Sequence, residues 1–189
     1  MQITDIQLLD GVPFEDYLKM PGISYSSVKA ATRGRVDPTD KMRFGSLVDT
    51  YLFEPAKYNG EQYELVRPVA QAAVQQLGQA LRHARRQLVV SCTMICEGLY
   101  LKYKGRVDMT ICSQHPVVLD FKVSDMPLLA AIKHFGYNHQ VNGYAIPLQA
   151  KTSIIFSISP KPPYKPQMMP IPNSLIYWRQ VVKQYGKPC

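Results

Sequence analysis

The sequence predicts an α/β or α+β protein, a sandwich of helices around a mixed β-sheet. Three observations carry that prediction. The first 86 residues hold helix-forming stretches punctuated by capping residues and prolines. Between residues 88 and 123 the apolar pattern changes to that of strands. A helical stretch, a β-branched run and a last helical stretch then follow. With 189 residues, the chain has the length of one domain with one substantial core. Its expected parts are a mainly helical 1–86, a sheet and helix over 87–159, and a Pro-rich segment with a C-terminal helix over 160–189.

Ser24 is suited to cap a short helix through about Ala31. Arg35 to Asp40 is a polar turn containing Pro38, and Thr39 or Asp40 opens a helix that Pro55 stops after Phe53. Pro68 suits a first helical position, ahead of a helix over Val69 to Arg86 rich in Ala, Gln, Leu and Arg. Leu88 to Tyr103 and Arg106 to Cys112 read as two strands with a turn near Lys104-Gly105. Gln114-His115-Pro116 makes the next turn, and Pro116 to Val123 is a third strand. Ser124 or Asp125 would cap a helix with Pro127 in its first turn, running to about Ile146 and ended by Pro147. Thr152 to Ser159 is a fourth strand. Pro160 to Pro172, with six prolines plus Lys161 and Lys165, is expected to be irregular and extended. Asn173 would cap a last helix from Ser174 to about Tyr185.

The composition, 46% hydrophobic and 19% charged, is that of an ordinary globular protein. No apolar run has the length of a membrane span, and MQITDIQLLDG lacks the basic start of a secretory signal. The expectation is a protein of a cytoplasm, bacterial or viral in origin, with no membrane partner. The net charge of +8 favours a polyanionic partner, nucleic acid first. Arg33, Arg35, Lys41 and Arg43 form one basic group and Arg82, Arg85 and Arg86 another, which points to a charged groove or rim. Cys92, Cys96, Cys112 and Cys189 form no C-x-x-C pair, and no His stands at zinc-finger spacing. They read as reduced, small apolar residues.

The third strand carries the chemistry. Val117, Leu119, Phe121 and Val123 take one face, and Val118, Asp120 and Lys122 the other. An antiparallel connection through 113–116 would bring Asp108 beside Asp120, and Glu97, on the strand before, would point into the same space. Carboxylates held close together need protons or a cation. Their hard oxygens suit Mg²⁺ or Mn²⁺ better than zinc. Lys122 supplies a donor that orients or helps deprotonate an attacking water. An Asp and a Lys two apart are also a common cross-strand ion pair. The strand V-V-L-D-F-K-V reads as largely buried, where charges are seldom placed without a task.

GRVDMTICSQHPVVLDFKVS resembles the core of the PD-(D/E)xK nucleases, in the branch containing exonuclease VIII, lambda-type exonucleases and RecB-like nuclease domains. FGSLVDTYLFEP resembles the helical motif of that branch, Gln140 to Tyr144 its Q-x-x-x-Y motif, and ISYSSVK its Ser-rich helix. The resemblance spans roughly residues 24–144 and implies a restriction-endonuclease-like core. It makes Asp108 and Asp120 metal ligands, with the Phe121 backbone carbonyl a third, and Lys122 the catalytic lysine. Glu97 matches an additional acid of some members, and Gln140 and Tyr144, one helical turn apart, would lie over the site. Asp49 stands where the family's metal-binding His is usual. An aspartate binds Mg²⁺ well; it also forms surface ion pairs, and the sequence leaves both readings open.

The implied activity is a Mg²⁺-dependent exonuclease that digests linear double-stranded DNA 5′ to 3′, in phage-type recombination or DNA processing within a bacterial cell or phage-infected host. Ser24, Ser26, Lys29, Arg33 and Arg106 would contact phosphates, although capping and surface charge also account for several of them. The resemblance further implies a homo-oligomeric ring and a single-strand annealing protein as partner. The alternatives are an endonuclease or single-strand nuclease of the same fold, or a DNA-binding module with a degenerate site.

Overall fold

The structure, a computed structural model, describes all residues except Arg35, Cys112, Ser113 and His115. Among these residues seven strands form one sheet. They are β1 (Gln2–Leu9), β2 (Arg85–Cys96), β3 (Leu99–Ile111), β4 (Val117–Val123), β5 (Thr152–Ile158), β6 (Pro166–Ile171) and β7 (Lys187–Pro188). The spatial order is β1-β2-β3-β4-β5-β6, with β7 pairing β3. The sheet is mixed: β4 and β5 run parallel, and the other pairs are antiparallel. The helices are α1 (Phe14–Lys19), α2 (Tyr25–Arg33), α3 (Asp40–Phe53), α4 (Tyr63–Leu77), α5 (Ala80–His83), α6 (Leu128–Phe135), α7 (Tyr137–Leu148) and α8 (Ile176–Tyr185). This is the mixed α/β architecture that the sequence predicts.

Two apolar layers hold the helices to the sheet. On one face Val118 and Ile155 pack with Val141 and Tyr144 of α7, Trp178 of α8 and Val28 of α2. On the other, Leu119, Phe121 and Phe156 pack with Val48 and Phe53 of α3 and with Val66 and Val69 of α4. The alternation along β4 therefore divides its side chains between the layers, as a strand's period of two requires. Phe121 anchors the second layer, edge-on to Phe53 at 5.8 Å and stacked on Phe156 at 5.9 Å. Cys92 and Cys96 lie in the first layer as free thiols, and Cys189 is free and exposed. Cys112 lies outside the described residues, as does part of the turn expected at 114–116.

Helix starts are legible where a side chain makes the cap. Ser24 accepts from the Ser27 N–H at 3.2 Å, while Ser27 Oγ accepts the Ser24 N–H. Thr39 caps α3 through the Met42 N–H. Elsewhere the structure corrects the reading. β1 and α1 occupy a segment with no strong periodic signal. The α4 helix starts at Tyr63, so Pro68 lies inside it, and it stops at Leu77 before the short α5. The helix after β4 is divided at Gly136, whose φ of 71° ends α6, and Pro147 lies within the last turn of α7. Pro127, not Ser124 or Asp125, precedes α6, and Leu175, not Asn173, precedes α8. Asn173 instead binds Ser153 Oγ and the Ala150 carbonyl. Within the Pro-rich stretch β6 is an edge strand, where proline is tolerated because outward backbone groups need no partner.

The β2–β3 turn falls at Glu97-Gly98, not at Lys104-Gly105. Both turn residues have positive φ, 53° and 74°, the conformation of a tight two-residue hairpin. Lys104 and Gly105 lie inside β3 for other reasons. Lys104 Nζ donates to the carbonyls of Tyr17, Leu18 and Met20 at 3.0, 2.9 and 2.7 Å, which caps the C-terminal end of α1. Gly105 makes room for two rings: a Cβ there would lie 2.6 Å from Tyr103 Oη and 2.7 Å from Tyr144 Cδ1. Both tyrosines are buried. Gly105→Ala is therefore expected to destabilise the protein by about 1–3 kcal/mol, read as a lower urea midpoint with an unchanged slope. An unchanged midpoint would contradict this packing.

Candidate active site

The first chemistry-bearing feature is an interruption of the sheet. The β3–β4 ladder pairs Ile111 with Val117, Thr110 with Val118 and Met109 with Leu119, and its register ends there. One step further on, Asp108 and Asp120 are opposed. Asp108 Oδ2 accepts the Phe121 N–H at 2.7 Å, so a side chain takes a backbone donor that neighbouring main chain would otherwise pair. Lys122 Nζ stands 2.7 Å from Asp120 Oδ2 and 5.1 Å from the centre of the Tyr137 ring. Gln140 Nε2 donates to Tyr144 Oη at 2.7 Å, across one turn of α7. From the opposite layer, Asp49 of α3 accepts from Gln87 Nε2 at 3.4 Å.

Burial sets the electrostatics. Asp120 has 0% of its surface exposed, and its carboxyl is pushed up to about 7 by burial and by the Asp108 charge, against the attraction of Lys122. Burial also raises Asp108, moderated by Lys122 and the Phe121 N–H. Asp49 lies well above the usual carboxylate range through burial and the Asp108 charge. Asp49 and Asp108 keep partial solvent contact, whereas Asp120 keeps none. Lys122 is pulled down by burial and pushed up further by Asp120 and Asp108, for a net rise. The upward shifts of Lys122 and Asp120 are compatible. Lys122 faces two anions, whereas Asp120 faces one cation, one anion and a dry surround.

The donor chemistry fits a hard divalent cation. Both Asp120 oxygens are buried and accept no hydrogen bond, the Lys122 contact being an ion pair without hydrogen-bond alignment. A buried carboxylate left so is costly unless a cation or proton joins it. Among the described residues no three His, Cys, Asp or Glu side chains stand at metal-ligand spacing. The facing carboxylates of Asp108 and Asp120 are the pair that could hold a cation, with Asp49 adding its charge nearby. Mg²⁺ suits such a place, because it keeps several waters beside one or two carboxylates.

The structure separates one expected residue, Glu97, from this constellation. Glu97 sits at the β2–β3 hairpin tip, its side chain 67% exposed and paired with Lys183 at 2.8 Å. A turn at Lys104-Gly105 would place Glu97 in mid-strand, whereas the turn lies at Glu97 itself. Arg106 pairs with Glu54 at 2.7 Å and stacks over Phe14. Ser24 is engaged as a helix cap. Ser26 is exposed on α2. Lys29 lies over the Phe135 ring and has its pKa lowered by partial burial, then by Arg33 and Lys122, so these cations share one neighbourhood. Arg33 is exposed and donates to the His134 carbonyl at 3.3 Å. Tyr137 and Gln87 belong to the site but were not anticipated. Reading one helix through Gly136 hid the fact that Tyr137 opens α7.

With no cation bound, the folded protein holds the Asp120 proton to a higher pH than the unfolded chain, whose aspartates titrate near their usual value of 3.8. The stability that this proton contributes is full below about 4 and is lost as pH rises through about 7. In EDTA, the urea midpoint should therefore fall between pH 5 and pH 7.5, and Asp120→Asn should flatten that fall. An Asp120→Asn profile parallel to wild type would remove Asp120 as its source.

No protein-family model matches the sequence, and no curated protein matches it. Solved structures are similar in fold. One is a protein of Eubacterium rectale named "Putative exonuclease", at 17% identity and a TM-score of 0.56, covering 89% of this chain and 73% of that one. Another is SSO0001, at 15% identity and a TM-score of 0.46, covering 85% of this chain and 83% of that one. Among the described residues the chain has a mixed α/β fold, a central seven-stranded sheet flanked by helices, and this fold is similar to that of the Eubacterium rectale protein.

Proposed function

We propose that this chain is a Mg²⁺-dependent deoxyribonuclease, an exonuclease that hydrolyses phosphodiester bonds of linear double-stranded DNA. The observation that carries the reading is the buried, opposed pair Asp108 and Asp120, with both Asp120 oxygens lacking hydrogen bonds and Lys122 beside them. The fold shared with the Eubacterium rectale protein supports it, as does the net charge of +8. The 5′-to-3′ direction rests on the motif resemblance alone.

Asp108 and Asp120 would hold the cation, with the Phe121 carbonyl as a further donor; Mn²⁺ would also suit these oxygens. Bound there, the cation supplies polarisation of the phosphate and acidification of a water. The protein's own groups do the rest. The Phe121 N–H fixes the Asp108 carboxylate in place. Lys122, held charged by two carboxylates, offers a hydrogen bond and a positive charge to a phosphate oxygen or to the attacking water, and is not the base. The Tyr137 ring faces its ammonium and restricts where that charge goes. Gln140 and Tyr144 brace each other across α7.

The test uses linear and covalently closed duplex DNA, each with Mg²⁺, Mn²⁺ or EDTA. Loss of the linear form alone, dependent on metal, is expected. Asp120→Asn should abolish it, and Lys122→Ala should lower the rate at least about 10²-fold. Cutting of the closed circle would replace the exonuclease by an endonuclease. Binding without cutting under every metal condition would leave a DNA-binding module, to which Asp49 in place of the family's His already points.

A further inference from the structure

A polar cavity borders the acidic site. It has a volume of about 280 Å³, and its polar lining is Glu54, Lys57, Arg86, Gln87 and Arg106. Two residues tie it to the constellation above. Gln87 lines the cavity and donates to Asp49. Arg106 stands two residues before Asp108 on β3, and its charge acts on the carboxyls of both Asp49 and Asp108.

The charges in this cavity are unbalanced. Lys57, Arg86 and Arg106 meet a single anion, Glu54, which is already divided between Arg106 and Lys57. Arg106 is fixed at the base, with its side chain 12% exposed, between Glu54 at 2.7 Å and the Phe14 ring at 5.3 Å. Its Nε is buried without a hydrogen-bond partner. Arg86 donates through one Nη to the Leu81 carbonyl and is otherwise exposed at the mouth with Lys57. A purely structural ion pair would satisfy Arg106 and leave no surplus. Here a concave, polar space carries two more cations than anions beside a site that fits phosphodiester chemistry. An oxyanion with several acceptor oxygens answers both the surplus charge and the unpaired Nε donor.

We propose that this cavity is a phosphate subsite, which holds a backbone phosphate of the nucleic-acid strand whose neighbouring phosphate lies at Asp108 and Asp120. Lys57 and Arg86 close on the phosphate from the mouth, and Arg106 faces it from the base. The subsite rests on the nuclease reading above. It places the strand's path on the Asp49 side of the sheet, away from α2, where the sequence alone had put most of the phosphate contacts.

The test measures equilibrium binding of a fluorescent linear duplex to the full chain in Ca²⁺, across 50–200 mM NaCl, and cleavage of the same duplex in Mg²⁺. Lys57→Gln/Arg86→Gln is compared with wild type and with Lys151→Gln/Lys187→Gln, which removes equal charge at exposed positions outside the cavity. Urea unfolding checks that each variant is folded. The subsite predicts about tenfold weaker binding for Lys57→Gln/Arg86→Gln at 100 mM salt. It also predicts a salt slope reduced by about 1, a higher KM and a kcat close to wild type. Equal weakening in the Lys151→Gln/Lys187→Gln control would reduce the effect to net charge and overturn the subsite. Wild-type cutting with unchanged binding by Lys57→Gln/Arg86→Gln would overturn the subsite and leave the nuclease reading standing. Absence of both binding and cutting in wild type would overturn both.

Discussion

Two carboxylates, Asp108 and Asp120, face each other where the β3–β4 ladder gives out, and much of the surrounding architecture follows from keeping them there. Asp120 lies in the layer built by α7 and has no exposed surface. Asp108 is pinned by the Phe121 N–H. The same Phe121 sends its ring the other way, between Phe53 and Phe156, into the layer built by α3 and α4. One residue thus joins the second core to the position of a carboxylate in the first. Burial is also the largest cause that raises all three nearby acids. The packing of Tyr103, Tyr144 and Trp178 on the face that holds Asp120 keeps that stress in place.

That stress is an energetic argument for a ligand. A buried carboxylate pair is a poor source of stability by itself. Here it is compensated by one lysine, and the compensation is incomplete, since Asp120 still rises to about 7. A divalent cation would supply the missing charge. On the proposed reading the site exchanges stability for binding, a common arrangement at functional positions. The surplus of positive charge lies elsewhere, in Lys29 and Arg33 on α2 and in the Lys57–Arg86–Arg106 cavity. Acidic and basic regions so arranged suit a polyanion whose backbone crosses from one to the other.

Much of this was legible in the sequence, for identifiable reasons. The β4 face division follows from a period of two, and α2 and α3 announce themselves through Ser24 and Thr39. Asp108, Asp120 and Lys122 are local to a strand pair joined by a short connection, so pattern alone brings them together. What was hidden depends on tertiary contact. Lys104-Gly105 has the look of a turn, yet Lys104 is held by three carbonyls of α1 and its C-terminal flank, and Gly105 yields to rings from α7 and β3. That one misplacement moved Glu97 into mid-strand. Arg106 looked free because its partner, Glu54, is 52 residues away in sequence. Strand β6 was hidden because proline suppresses strand propensity everywhere except at an edge, and edges are defined only by the assembled sheet.

The most direct test of the account is calorimetric titration of Mn²⁺ into the metal-free protein at pH 6.5, in two buffers of different ionisation enthalpy. The account predicts binding that releases protons, because a cation displaces those held by the raised carboxyls, and loss of that binding in Asp120→Asn. Absence of Mn²⁺ binding, or equal binding by Asp120→Asn, would contradict the claim that the opposed carboxylates form a cation site.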